Sequence, residues 1–192
     1  MADLEFYFDP VCPFAWMTSK WVRLVQAQKS LDVEWRFIAL RFVNAGADYS
    51  TFPDNYERVH TSGLELLRIA KNVRDAGGND AVARLYEAYG RNIFETSKAR
   101  REELTADTKT FVEPILAELG LPTSFKDAFE DTTADKVIQE ETDYALSLTG
   151  KDVGTPILHF DPPNGTALFG PVISRLPSPE QAVELWDHVI GL

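Results

Sequence analysis

The feature that most limits what this chain can fold into is a double change of hydrophobic period. Near both ends apolar residues alternate over short runs, whereas from about residue 55 to residue 149 they recur at helical spacing with few β-branched runs. "DLEFYF", residues 3–8, reads as a strand that stops at Asp9-Pro10, and "DVEWRFIAL", residues 32–40, reads as a second, with Val33, Trp35, Phe37 and Ala39 alternating against Glu34, Arg36 and Ile38. Between them Trp16, Lys20, Trp21, Leu24 and Val25 mark a helical stripe that starts at Pro13, a residue suited to a first helical position because its missing N–H is not needed there. Strand, helix, strand is the opening of a βαβ unit.

The middle reads as an all-helical insertion in pieces of roughly 55–76, 79–95, 107–119, 123–130 and 133–148, broken at Gly77-Gly78, near Arg100-Arg101 and at Gly120-Leu121-Pro122. Pro114 should kink or start a helix. "SKARREE", residues 97–103, reads as a solvated face or loop, the alternative being an anion-binding rim. After Gly150 the strands return at 155–161 and 166–170, with Asn164-Gly165 between them as a type I′ hairpin turn. A last helix follows "SPEQ", where Ser178 and Gln181 form a capping box around Pro179. This order is that of a thioredoxin-like α/β fold: one domain over residues 1–192 with a helical insertion at about 50–150.

Charge and composition exclude several functions. A formal net charge of −11 disfavours nucleic acid and anionic membrane as partners. No leader-like segment and no apolar run of membrane-spanning length is evident, so the cytoplasm is the expected compartment. His60, His159 and His188 lack metal-ligand spacing, and no metal is expected. The oligomeric state is left open, a homodimer being one option.

Cys12 is the single cysteine, so it forms no internal disulfide and is left to packing or to reactivity. At the start of a helix it meets unpaired N–H groups and the positive end of the macrodipole, both of which favour the thiolate. The expectation is a partly exposed thiol of depressed pKa, with nearby Asp9 moderating the shift. In "DVGTP" a proline opens a strand. A cis Thr155-Pro156 bond there would leave the backbone of Thr155 free to pair with an extended substrate, and in a thioredoxin-like fold Pro156 would face Cys12.

Four stretches, "FDPVCPFAW", "DVGTPILH", "FGPVISRLP" and "SPEQAVELWD", resemble the DsbA-like branch of the thioredoxin superfamily and most closely the mycothiol-dependent nitroreductase family. The resemblance implies a DsbA-like thioredoxin fold with a helical insertion, a nucleophilic Cys12, and a cis-proline at 156. A more distant likeness is to kappa-class glutathione transferases and 2-hydroxychromene-2-carboxylate isomerases, which hold a thiol in a similar loop. The family pattern is Cys-Pro-Trp-Cys; here Phe14 and Ala15 replace its last two residues. Without a second cysteine, a mixed disulfide on Cys12 must be resolved by an external thiol.

Three functions follow as expectations. The first is an enzyme, a cytoplasmic monothiol thiol-disulfide oxidoreductase whose co-substrate is mycothiol or glutathione, with no bound cofactor. Cys12 attacks a disulfide or electrophilic small molecule, and Pro13, Phe14, Ala15, Trp16, Thr155 and Pro156 shape its groove. The second is a kappa-class type transferase or isomerase in which Cys12 only orients a bound thiol. The third is a redox-inactive binding protein that kept the fold.

Overall fold

The structure, a computed structural model, describes residues 2–150 and 152–191. In chain order the elements are β1 (Leu4–Phe8), α1 (Pro13–Gln26), β2 (Val33–Phe37), α2 (Leu40–Val43), α3 (Tyr56–Phe94), α4 (Lys98–Ala106), α5 (Thr108–Glu118), α6 (Asp135–Thr149), β3 (Ile157–Phe160), β4 (Ala167–Phe169) and α7 (Pro179–Ile190). The sheet order is β2-β1-β3-β4, with β1 parallel to β2 and antiparallel to β3, and β3 antiparallel to β4.

β1 is central, and all five of its residues are buried. Leu4, Phe6 and Phe8 join Trp35, Phe37 and Leu158 in the larger core with residues of α1, α3 and α7, while Tyr7, Ile38 and Ile157 form a smaller cluster with Ala145 of α6. Phe8 stacks on Tyr86 of α3 with ring centroids 3.8 Å apart, a pairing worth about 0.5–1.5 kcal/mol beyond its burial. Trp21 and Trp186, at 5.7 Å, seat α7 on α1.

β2 ends sooner than its hydrophobic run predicts. Its free edge is covered by side chains of the helical segment: Trp35 N–H donates to Asn79 (2.8 Å), Phe37 N–H to Glu141 (2.8 Å) and Ala39 N–H to Thr142 (3.0 Å). A covered edge offers no further strand a partner. The chain then turns into α2, which the alternation of Ile38 and Ala39 concealed.

Other expectations are corrected here. α3 does break at Gly78, whose φ of 71° suits glycine, and the break expected near Arg100-Arg101 falls at 95–97, just before them. α4 runs through both arginines from a Ser97 cap, with Arg100 spending its guanidinium on Glu103, Asn92 and the Phe111 carbonyl. Pro114 lies within α5 and starts no helix, and 123–130 is helical over the expected residues, as a 3-10 helix. The β3–β4 connection is not a two-residue type I′ turn, because the positive φ belongs to Asp161 (48°) and not to Asn164 or Gly165. Gly165 is needed for proximity instead, since a Cβ there would lie 1.8 Å from the Phe160 carbonyl oxygen.

Candidate active site

β1 delivers the chain into Asp9-Pro10-Val11-Cys12, a loop closed by the Cys12 N–H donating to the Asp9 carbonyl at 3.1 Å. Cys12 is the N-cap of α1 and Pro13 its first residue. The sulfur accepts the Ala15 N–H at 3.4 Å, as a capping oxygen would, and its S–H donates to the Thr155 carbonyl at 3.3 Å. The Thr155-Pro156 bond is cis. Thr155 is fixed by its hydroxyl, which donates to the Tyr7 carbonyl at 3.0 Å, and the Pro156 carbonyl accepts the Gly170 N–H at 2.9 Å. Two segments 143 residues apart in sequence thus meet at one sulfur.

The rim is apolar. Phe14 is 51% exposed, as is Val172, which follows the cis Gly170-Pro171 bond. Thr18, one turn beyond Phe14 on the same face of α1, donates to the Pro171 carbonyl at 2.7 Å and so ties this loop to the helix. Ala15 and Trp16 are buried. Trp16 fills the space over Gly90 of α3, where a Cβ would fall 2.1 Å from its ring, and meets Tyr86 edge-on at 6.1 Å. Of the seven residues singled out from sequence, Trp16 points into the core, Ala15 supplies its N–H to the sulfur, and Phe14 alone presents a large apolar surface outward.

Two expectations fail. Cys12 is 5% exposed, not partly open, and its pKa is pushed up to about 11 by burial, with the Asp9 charge adding to the rise and the Ala15 and Phe14 N–H groups opposing it. Removal from water outweighs the helix terminus. Nor is the Thr155 carbonyl free for a substrate, since it holds the thiol. The sequence reading also missed Leu40, Gly63, Tyr86 and Thr18. The first three lie far along the chain and carry no local signal; only the "FGPV" stretch that receives Thr18 was already part of the resemblance.

With this geometry in view, the relatives of the chain can be placed. The architecture, with Cys12 at a helix N-terminus against a cis-proline, is that of a DsbA-like thioredoxin-fold protein. Residues 11–192 match the family model described as Rv2466c-like, mycothiol-dependent nitroreductase Rv2466c, and the chain belongs to this family of thiol-dependent oxidoreductases. It is 31% identical over 196 residues to uncharacterized protein Rv2286c of Mycobacterium tuberculosis, covering all of this chain and 77% of the relative. The fold is shared with the cytosolic disulfide reductase DsbM of Pseudomonas aeruginosa solved with GSH (TM-score 0.59, 17% identity, 98% and 99% of the two chains). It is shared also with the oxidoreductase DsbA of Xylella fastidiosa (TM-score 0.53, 17% identity, 99% and 86%). Among the described residues no helix is long and apolar enough to cross a membrane.

Proposed function

We propose that the protein is a cytoplasmic monothiol thiol-disulfide oxidoreductase, a single domain that works with a low-molecular-weight thiol, mycothiol being the one its family favours. The observation that carries this reading is the Cys12 sulfur, held 3.3 Å from the Thr155 carbonyl beside cis-Pro156 at the start of α1. In the first step the Cys12 thiolate attacks one sulfur of a disulfide, forming a mixed disulfide and expelling the other sulfur as a thiolate. An external thiolate then attacks the outer sulfur of that mixed disulfide and returns Cys12 as the leaving group. The net reaction is exchange: one half of the substrate disulfide leaves as a thiolate and the other leaves as a mixed disulfide with the external thiol, and a second equivalent of that thiol completes the reduction, giving its oxidised dimer and the second substrate thiol. Phe14 and Val172 exclude water from the reacting sulfurs and receive the apolar part of the substrate.

One observation favours a second reading. The raised pKa and the S–H donated to Thr155 keep Cys12 as a neutral donor, which suits a residue that orients a bound thiol without attacking it, as in a kappa-class type transferase or isomerase.

Intact mass after exposure to oxidised mycothiol, and separately to oxidised glutathione, distinguishes the two. The oxidoreductase reading expects one thiol adduct on the wild type, none on Cys12→Ser, and a disulfide-reduction rate that rises with free thiol. Thiol-dependent activity without any adduct would establish the second.

A further inference from the structure

Three segments close on Asp9. Its Oδ1 accepts the Val11 N–H at 2.9 Å and its Oδ2 the Leu40 N–H at 2.7 Å, so the carboxyl group ties the cysteine loop to the start of α2. From α3, Gly63 approaches so closely that a Cβ there would lie 2.6 Å from Oδ1. The residue is 0% exposed, and its carboxyl group has no cation partner among the described residues. Each oxygen keeps a second lone pair beyond the N–H it accepts, so a proton can be added without breaking either bond. The same geometry therefore holds the acid and the carboxylate.

Cys12 lies three residues on and is likewise buried, only 5% exposed. A thiolate and a carboxylate enclosed together repel each other far more strongly than in solvent. We propose that Asp9 is a positioning residue that gates the Cys12 sulfur: the pocket holds one negative charge, on the carboxylate or on Sγ, and Asp9 takes up a proton when the thiolate forms. The protons balance, one leaving Sγ and one joining an Asp9 oxygen, and no electron moves. The gate rests on the reading of Cys12 as the attacking group.

The other titratable groups on the surrounding elements do not supply a counter-charge. Tyr86 of α3 has a buried hydroxyl without a partner among the described residues, and burial holds it protonated. Arg23 of α1 donates to the Ala83 carbonyl at 2.7 Å and lies 3.7 Å from Glu87. Arg41 of α2 pairs with Glu57 at 2.9 Å, and the His60 ring of α3 bonds the Tyr49 hydroxyl at 3.0 Å. Burial without such a charge raises the Asp9 pKa to about 7, which places its proton within the working range of pH.

The test is the rate of Cys12 alkylation by iodoacetamide against pH. In the wild type the rate should climb, flatten as Asp9 ionises near about 7, and climb again toward about 11. Asp9→Asn should remove the flattening and, at pH 8, react about fivefold faster, as expected for a coupling above one pKa unit. A single uninterrupted climb in the wild type overturns the gate, as does an Asp9→Asn rate equal to the wild type. If the variant does not fold, the wild-type profile decides. A purely structural Asp9 would leave the inflection absent. Iodoacetamide needs neither thiol nor substrate, so a two-limbed profile in a chain that forms no thiol adduct supports the gate while overturning the oxidoreductase reading.

Discussion

Glu5 and Asp9 are both acidic and both buried, one within β1 and the other just past its end, and their surroundings divide them. Glu5 receives the Tyr7 hydroxyl at 2.9 Å, the His159 ring at 2.9 Å and the Arg36 guanidinium at 3.1 Å, and Arg36 is shared with Glu34 at 3.0 Å and Glu141 at 3.5 Å. Asp9 receives two backbone N–H groups and pairs with no cation among the described residues. A buried carboxylate inside a paired network serves architecture, whereas Asp9, balanced only by backbone dipoles, has its pKa raised to about 7 by burial. The charged cluster pins α6 to its face of the sheet, and the Asp9 loop holds the sulfur.

If that division is right, the two regions separate in experiment, and the largest effects come first. Cys12→Ser should abolish disulfide reduction while unfolding in urea near the wild-type midpoint, because serine preserves the N-cap. Glu5→Ala should do the reverse. It leaves Tyr7, His159 and Arg36 facing a lost acceptor and should cost about 3–5 kcal/mol in a denaturant titration, with the alkylation rate of Cys12 unchanged per folded molecule. Equal loss of reactivity in the two variants would break the comparison.

Sequence showed one of these regions better than the other. Cys12, Pro13 and the Thr155-Pro156 bond were legible because each residue type has a narrow conformational use, and the capping box at Ser178 and Gln181 was legible for the same reason. The burial of Cys12 was not, since it depends on Gly63 and Tyr86 of α3, more than forty positions away, packing against the cysteine loop and Trp16 of α1, and no local pattern encodes that packing. The Glu5 cluster was invisible likewise: Glu5 and Arg36 look like the polar positions of ordinary alternating strands, and only the sheet register, with Glu5 opposite His159, brings them together. α2 escaped notice because four residues carry too little periodicity to separate a helical turn from the end of a strand.

The Asp9 side of the comparison also has a pH signature in stability. Burial raises its pKa from 3.8 to about 7, so between those values the folded state holds a proton that the unfolded chain has released. Stability contributed by this group is therefore present at low pH and lost as pH rises through the window. Asp9→Asn does not titrate, so the stability advantage of the wild type over it should shrink between pH 4 and pH 7, by on the order of 4 kcal/mol. Urea midpoints at a series of pH values measure the difference. A gap that stays constant would mean that Asp9 does not titrate in this window and would remove the pH signature of its site.

The smallest expected effect tests the contact that seals the Asp9 pocket. Replacing a glycine by alanine inside a helix normally stabilises it by about 0.5–1 kcal/mol. At Gly63 the new methyl group would stand 2.6 Å from Asp9 Oδ1 and 2.9 Å from Val11 Cγ2, distances at which something must shift. Overpacking of this kind costs about 1–3 kcal/mol, so Gly63→Ala should be destabilised by roughly 0.5–2 kcal/mol after the helical gain is subtracted. The direction of the shift carries the information. A methyl group that presses on Oδ1 weakens the bonds to Val11 and Leu40, which favour the carboxylate, so the flattening in the Cys12 alkylation profile should move to higher pH while the Glu5 network stays intact. A variant more stable than the wild type, with an unchanged profile, would show that α3 tolerates the methyl group and does not press on the Asp9 carboxyl.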